Sequence, residues 1–155
     1  MRPELAKAIR DLTLRMRLLK ASQEEQVGQQ SLTERELLIL ELLSQNGPMS
    51  VSQLSLADST ASDSTISTTI TGLWRNKKLV TKTISPENQR TTIIGLTEKG
   101  KKIIDIFNKQ RSERFQTLFE AIDVTDDEAE PMLNVTRRAI KFFVERLSLQ
   151  NSITK

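Results

Sequence analysis

Apolar residues recur every three or four positions along most of the chain and give way to an alternating rhythm in one stretch near its middle. Leu5, Ile9, Leu12, Met16 and Leu19 advance by 4, 3, 4 and 3, the a/d spacing of a helical seam. Leu14 and Leu18 fall beside that seam and widen the apolar surface of a terminal helix. Such a surface predicts a subunit contact, the alternative being a helix packed on its own domain. Next, Thr33 is placed as an N-cap with Glu36 at N3, and Leu32 and Leu37 occupy the staple positions. The Leu-rich helix that follows should stop at Asn46-Gly47-Pro48. The device repeats at once, with Ser50 and Gln53 as the box and Met49 and Leu54 as the staple. Asp58-Ser59-Thr60-Ala61 then reads as the turn before a third helix starting near Ser62. Together these predict a tri-helical core containing a helix-turn-helix.

The rhythm changes at Leu79. Leu79 to Ile84 and Thr91 to Leu96 are β-type runs around a polar turn, Ser85-Pro86-Glu87-Asn88-Gln89. Thr97 then caps a long helix, with Glu98 set against its positive start. Ile104, Phe107, Phe115, Leu118 and Ile122 carry an apolar face to about Asp123. Thr125-Asp126-Asp127-Glu128 forms a further capping box, opening a last helix with Leu133, Ile140, Phe143 and Leu147 on one side. The tail from Asn151 is expected to fray.

Chemistry concentrates on the third helix. At about 100° per residue, Ile66, Ile70 and Leu73 gather on one face and must point to the core. Opposite them lie Ser64, Thr68, Thr71 and Arg75, flanked by Thr65, Ser67 and Lys78. Short hydroxyl side chains let a helix sit deep in a major groove about 12 Å wide, where they meet base edges, phosphates or thymine methyls. Alone, such a face could be merely soluble; behind a capped helix-turn-helix and before a hairpin, the groove reading is preferred. Arg90 at the hairpin tip suits a narrow minor groove, the alternative being a surface pair with Glu87. Lys82 and the cluster Lys99, Lys101 and Lys102 are candidate phosphate contacts. Trp74, about 80° off the buried face, is expected to be half-packed, without a ligand role.

Composition narrows the choice. A chain of 155 residues is the length of one domain, or of one domain plus helical extensions, and its net charge of +3 is too small to announce a nucleic-acid protein. The distribution says more: residues 62–102 hold eight basic against three acidic side chains, and residues 113–130 seven acidic against one basic. The acidic segment is expected to face away from a polyanion. Without cysteine or histidine there are no disulfides, no thiol chemistry and no N/S metal sites, so neither metal nor cofactor is expected. A Ser or Thr nucleophile would lack histidine, and no Gly-rich phosphate loop or paired-carboxylate motif occurs, which argues against an enzyme. No apolar run approaches spanning length, and Met1-Arg2-Pro3-Glu4 does not open a signal peptide. A cytoplasmic protein with no membrane partner is expected.

The pattern Ser64-Thr65-Ile66-Ser67, Leu73, Lys78-Leu79-Val80, Asn88-Gln89-Arg90 and Leu96-Thr97-Glu98-Lys99-Gly100 resembles the MarR family of winged helix-turn-helix transcriptional regulators. The likeness is strongest over 32–100, and the flanking helices extend it to nearly the whole chain. It implies a mainly α fold with a small β-hairpin wing: an N-terminal dimerisation helix over 1–30, a winged helix-turn-helix over 31–97, C-terminal dimerisation helices over 98–150, and a frayed tail over 151–155. The recognition helix would be Ser62–Lys77 and the wing Ser85–Arg90. DNA contacts would come from Ser62, Ser64, Thr65, Ser67, Thr68, Thr71, Arg75, Lys82, Gln89, Arg90 and Thr91. The dimer interface would draw on Leu5, Ile9, Leu12, Met16, Leu19, Ile140, Phe143 and Leu147.

The implied function is a homodimeric, ligand-responsive repressor of a pseudo-palindromic duplex operator. Its implied partners are double-stranded DNA, a second copy and a small-molecule effector. Three positions depart from the family pattern. Thr68 stands where an arginine is frequent, Asn88 where an acidic residue usually partners the wing arginine, and Lys78 where glycine usually follows the recognition helix. Asn88 can still hydrogen-bond Arg90, and Lys78 must accept a left-handed cap or end the helix differently. Cysteine-based oxidant sensing is excluded. The weak basic character of the recognition helix motivates a competing reading, a winged-helix protein-interaction module without sequence-specific DNA binding.

Overall fold

A computed structural model describes residues 1–20 and 25–153; the side chains of Leu19 and Leu147, and residues 154–155, lie outside what it describes. The chain divides into two units, Met1–Phe107 and Asn108–Lys155. The first opens with α1 (Arg2–Lys20), whose seam residues Leu5, Ile9 and Leu12 are exposed. A short antiparallel hairpin follows, β1 (Glu25–Val27) and β2 (Gln30–Leu32). Within the segment expected to form the N-terminal helix over 1–30, Glu25–Leu32 therefore forms a hairpin instead. Gly28, at φ +60, supplies the left-handed residue that the two-residue loop requires, and Val27 is completely buried.

Two capping boxes frame the helix-turn-helix. Glu36 N–H donates to Thr33 Oγ1 at 3.2 Å and Thr33 N–H donates back to Glu36 Oε2 at 2.9 Å, opening α2 (Glu34–Asn46). Gly47, at φ +73, ends α2, and Met49–Ser50 form the brief strand β3. Ser50 and Gln53 repeat the exchange at 3.1 and 2.9 Å to open α3 (Val51–Ala57). In the turn, Asp58 is buried. Its Oδ1 accepts from Thr60 Oγ1 at 2.6 Å and Thr60 N–H at 3.3 Å, and its Oδ2 accepts from Arg35 Nε at 3.1 Å. The Thr60 hydroxyl, with help from Arg35 and against the opposing effect of burial, holds the Asp58 carboxyl below its usual 3.8.

Ser62 caps α4 (Asp63–Thr71), which buries Ile66 and Ile70 as its periodicity requires. The recognition helix expected to run to Lys77 instead widens into one π-helical turn, Gly72–Asn76, with Leu73 buried. Lys77 N–H reaches Gly72 O at 3.1 Å and Leu79 N–H reaches Leu73 O at 2.9 Å, around Lys78 at φ +56. The usual glycine position is thus a left-handed lysine. β4 (Val80–Ile84) and β5 (Thr92–Leu96) pair antiparallel, Val80 with Leu96 through Ile84 with Thr92, and β3 pairs the other edge of β5.

α5 (Glu98–Ala121) starts against the β4 root. Thr97 Oγ1 donates to Lys78 O at 2.9 Å, and Thr97 N–H donates to Leu79 O at 3.1 Å. A Cβ on Gly100 would lie 2.1 Å from Leu79 O, so this approach needs glycine. Leu37, Leu40 and Leu43 of α2, Leu54, Ile66, Ile70, Leu73, Ile94, Ile104 and Phe107 form the core of this unit. In the second unit, α5 ends at Ala121, Asp123 follows in the turn at φ +53, and the Thr125–Glu128 capping box opens α6 (Asp126–Ile153). The helix includes 151–153, where fraying was expected; residues 147–153 contain no glycine or proline to stop it.

Gly100→Ala should destabilise the chain by about 2 kcal/mol or more, because the obstructing atom is backbone. Lys78→Gly should stabilise it by about 0.5–1 kcal/mol by relieving the left-handed lysine. Urea unfolding distinguishes both from zero. Asp58→Asn should cost about 1–3 kcal/mol at neutral pH through disrupted buried hydrogen bonds. Because the folded-state pKa of Asp58 is depressed, its ionic contribution is full above the unfolded value and is lost as pH falls through the folded one. The stability gap between the native chain and Asp58→Asn should therefore narrow below about pH 4; a constant gap would contradict this assignment.

Candidate nucleic-acid interface

The hydroxyl stripe lies opposite the buried face of α4. Ser64, Ser67, Thr68 and Arg75 are exposed, while Thr65 and Thr71 are half-buried. Most hydroxyls already have a local task. Ser62 Oγ accepts from Thr65 N–H at 3.2 Å and lies 2.8 Å from Thr65 Oγ1 and 3.1 Å from Ser64 Oγ. Thr68, Thr69 and Thr71 donate back to the carbonyls of Ser64, Thr65 and Ser67 at 2.8, 2.8 and 2.9 Å. With those protons committed, the outer threonines can offer a methyl group and a free lone pair. They can touch thymine methyls or accept from base amino groups; donating to a phosphate would require the hydroxyl to turn.

The wing is a tight hairpin end. Ser85 N–H donates to Thr91 O at 2.8 Å and Thr91 N–H donates to Asn88 O at 2.9 Å. Asn88 does hydrogen-bond Arg90, but its Oδ1 accepts the backbone N–H at 3.1 Å. It therefore shapes the turn without fixing the guanidinium. Gln89 and Arg90 are exposed at the tip, Thr91 is half-buried, and the pair between Arg90 and Glu87 does not occur among the described residues.

Other basic side chains sort differently from expectation. Lys77 is half-buried and bonds Glu36 at 2.7 and 2.9 Å and Ser31 O at 2.7 Å. Lys99 Nζ donates to Lys77 O at 3.2 Å, and Lys101 pairs with Glu98 at 3.0 Å, so two of the three clustered lysines serve local contacts. Lys82, exposed on β4, stands 5.3 Å from the centroid of the Trp74 ring, and Arg75 stands 5.1 Å from it. Trp74 is half-packed, as its angle implied, and has two cations beside its ring, a grouping that neither helical periodicity nor a local motif announces. Among the described residues no group of three or more His, Cys, Asp or Glu is placed to hold a metal ion, and no helix is long and apolar enough to cross a membrane.

Known proteins share this architecture. Residues 32–92 match the model of the MarR family. The HTH-type transcriptional regulator YpoP of Bacillus subtilis is 31% identical over 90 residues, 57% of this chain and 62% of that protein, so the match spans less than two thirds of its length. A MarR family protein from Bacillus stearothermophilus superposes with a TM-score of 0.74 at 20% identity, covering 92% of this chain and 94% of that one. A mutant of MepR from S. aureus, bound to an oligodeoxyribonucleotide, superposes with a TM-score of 0.59 at 23% identity over 89% and 97%. Over residues 32–92 the chain is thus similar to the MarR family, and its fold as a whole is similar to that of a solved MarR family protein.

Proposed function

We propose that this chain is a cytoplasmic, homodimeric repressor of transcription that reads duplex DNA and answers to a small-molecule effector. The carrying observation is the two-faced α4, with Ile66 and Ile70 buried and Ser64, Ser67 and Thr68 exposed, beside a wing whose tip presents Arg90. In this reading α4 enters a major groove and Arg90 a flanking minor groove. The DNA-bound MepR relative supports it.

A second copy is the proposed cover for two apolar faces, each considered in its own unit. On α1, Leu5, Ile9, Leu12, Leu14 and Leu18 are all more than half exposed, and on α6 Phe143 is 62% exposed beside Ile140 at 57%. Contiguous apolar surface of this kind commonly marks an interface. Two-fold symmetry then requires half-sites about 10 bp apart, or a multiple of that. For the effector, a cleft of about 510 Å³ in the first unit, bounded by Leu43, Pro48, Leu96 and Ile104 with Lys101 and Asp105, has room for a small organic molecule. To swing the dimer between forms almost completely, the effector must prefer one by about 5.5 kcal/mol.

The committed threonine protons favour one alternative, that this face docks on a protein. Salt separates the readings, since duplex affinity must fall with a log–log slope of about −0.9 per phosphate contacted. Against DNA upstream of its own coding sequence, Arg90→Ala should weaken binding about tenfold, close to 1.4 kcal/mol. Thr68→Ala should alter base preference more than total affinity. If gel shifts find both variants equal to the native chain, the assigned surface is wrong. Leu12→Glu and Phe143→Glu should each convert a dimer to monomer in sedimentation analysis, and persistence of the dimer in both would remove these faces from the interface.

A further inference from the structure

The chain's only tryptophan stands where the π-helical turn after α4 meets β4. Trp74 is half-buried and packed against the core, and Arg75 and Lys82 lie 5.1 and 5.3 Å from its ring centroid. One cation belongs to the end of the recognition helix and the other to the wing strand. Both are exposed, and neither forms an ion pair among the described residues. Two like charges drawn to one indole oppose each other, and the electron-rich ring offsets that repulsion. They are left without a counter-charge, on a surface where an anion can supply it.

We propose that Trp74 is a positioning residue that holds Arg75 and Lys82 as one phosphate-binding unit across the junction of recognition helix and wing. The inference rests on the duplex-binding reading and adds to it a backbone clamp distinct from the hydroxyl stripe and Arg90. It also accounts for a recognition helix that binds a polyanion with little charge of its own: the cations are collected at its end.

The test uses the full chain and a mixed-sequence duplex a few helical turns long, titrated by fluorescence anisotropy across a salt series. Trp74→Leu should weaken binding about fivefold at low salt and flatten the log–log salt slope by about one phosphate's worth. Trp74→Phe, which keeps a ring face, should retain most of both. In an Arg75→Ala/Lys82→Ala background, Trp74→Leu should have no further effect. An unchanged slope for Trp74→Leu, or an equal loss in both backgrounds, overturns the assignment, the latter showing a ring that only supports the fold. Should Trp74→Leu not fold, the native ring reports instead. Its emission should change when duplex is added, and should not change in Arg75→Ala/Lys82→Ala; persistence there overturns the proposal. A native chain that binds no duplex at low salt overturns the DNA reading and this inference together.

Discussion

One carboxylate holds the helix-turn-helix to its flanking elements. Glu36 closes the capping box at Thr33 N–H and takes the ammonium of Lys77 on both oxygens, while that ammonium also reaches Ser31 O. A single point thus fastens the end of β2, the start of α2 and the end of the π-helical turn. The pair is largely enclosed, with 11% of the Glu36 side chain and 26% of the Lys77 side chain exposed. An enclosed pair gives little net stability compared with apolar packing, but losing either member strands the other's charge. Its contribution is therefore geometric. From Lys77 the constraint passes to left-handed Lys78, then to Thr97, and so to the root of the wing and the start of α5. The helix of α4 and its π-helical turn cannot tilt without disturbing that chain of contacts.

How much of this the sequence disclosed depends on the sequence distance over which each interaction acts. The boxes at Thr33–Glu36, Ser50–Gln53 and Thr125–Glu128 join residues three apart, and each formed as its spacing implied. The buried face of α4 followed from helical arithmetic on Ile66, Ile70 and Leu73. By contrast, Glu36 and Lys77 are separated by 41 positions, and nothing in either neighbourhood names the other. The hairpin of β1 and β2 was illegible for another reason. Each strand has three residues, most of them polar, so backbone pairing and buried Val27 define it rather than alternation. At Lys78 the sequence left two outcomes open, a left-handed cap or a different helix end, and the left-handed one occurs, held by the hydrogen bonds around it.

The three departures from the family pattern share a physical theme. At Thr68 a long cation is replaced by a hydroxyl bonded to its own helix. At Asn88 a charge is replaced by a turn-forming amide. At Lys78 glycine's freedom is replaced by contacts that hold the backbone in place. Each exchanges an adaptable or charged element for one defined by nearby hydrogen bonds.

The back-bonded threonines of α4 carry a thermodynamic consequence. A long lysine or arginine that becomes ordered on docking forfeits up to about 2 kcal/mol of rotamer freedom. A β-branched side chain already held to the preceding turn has little such freedom left to lose. Any surface that fits this helix therefore meets a stamp already cut rather than a brush that must be combed into shape. Recognition through it depends on complementarity of outline, and should be less sensitive to ionic strength than recognition by a field of flexible cations.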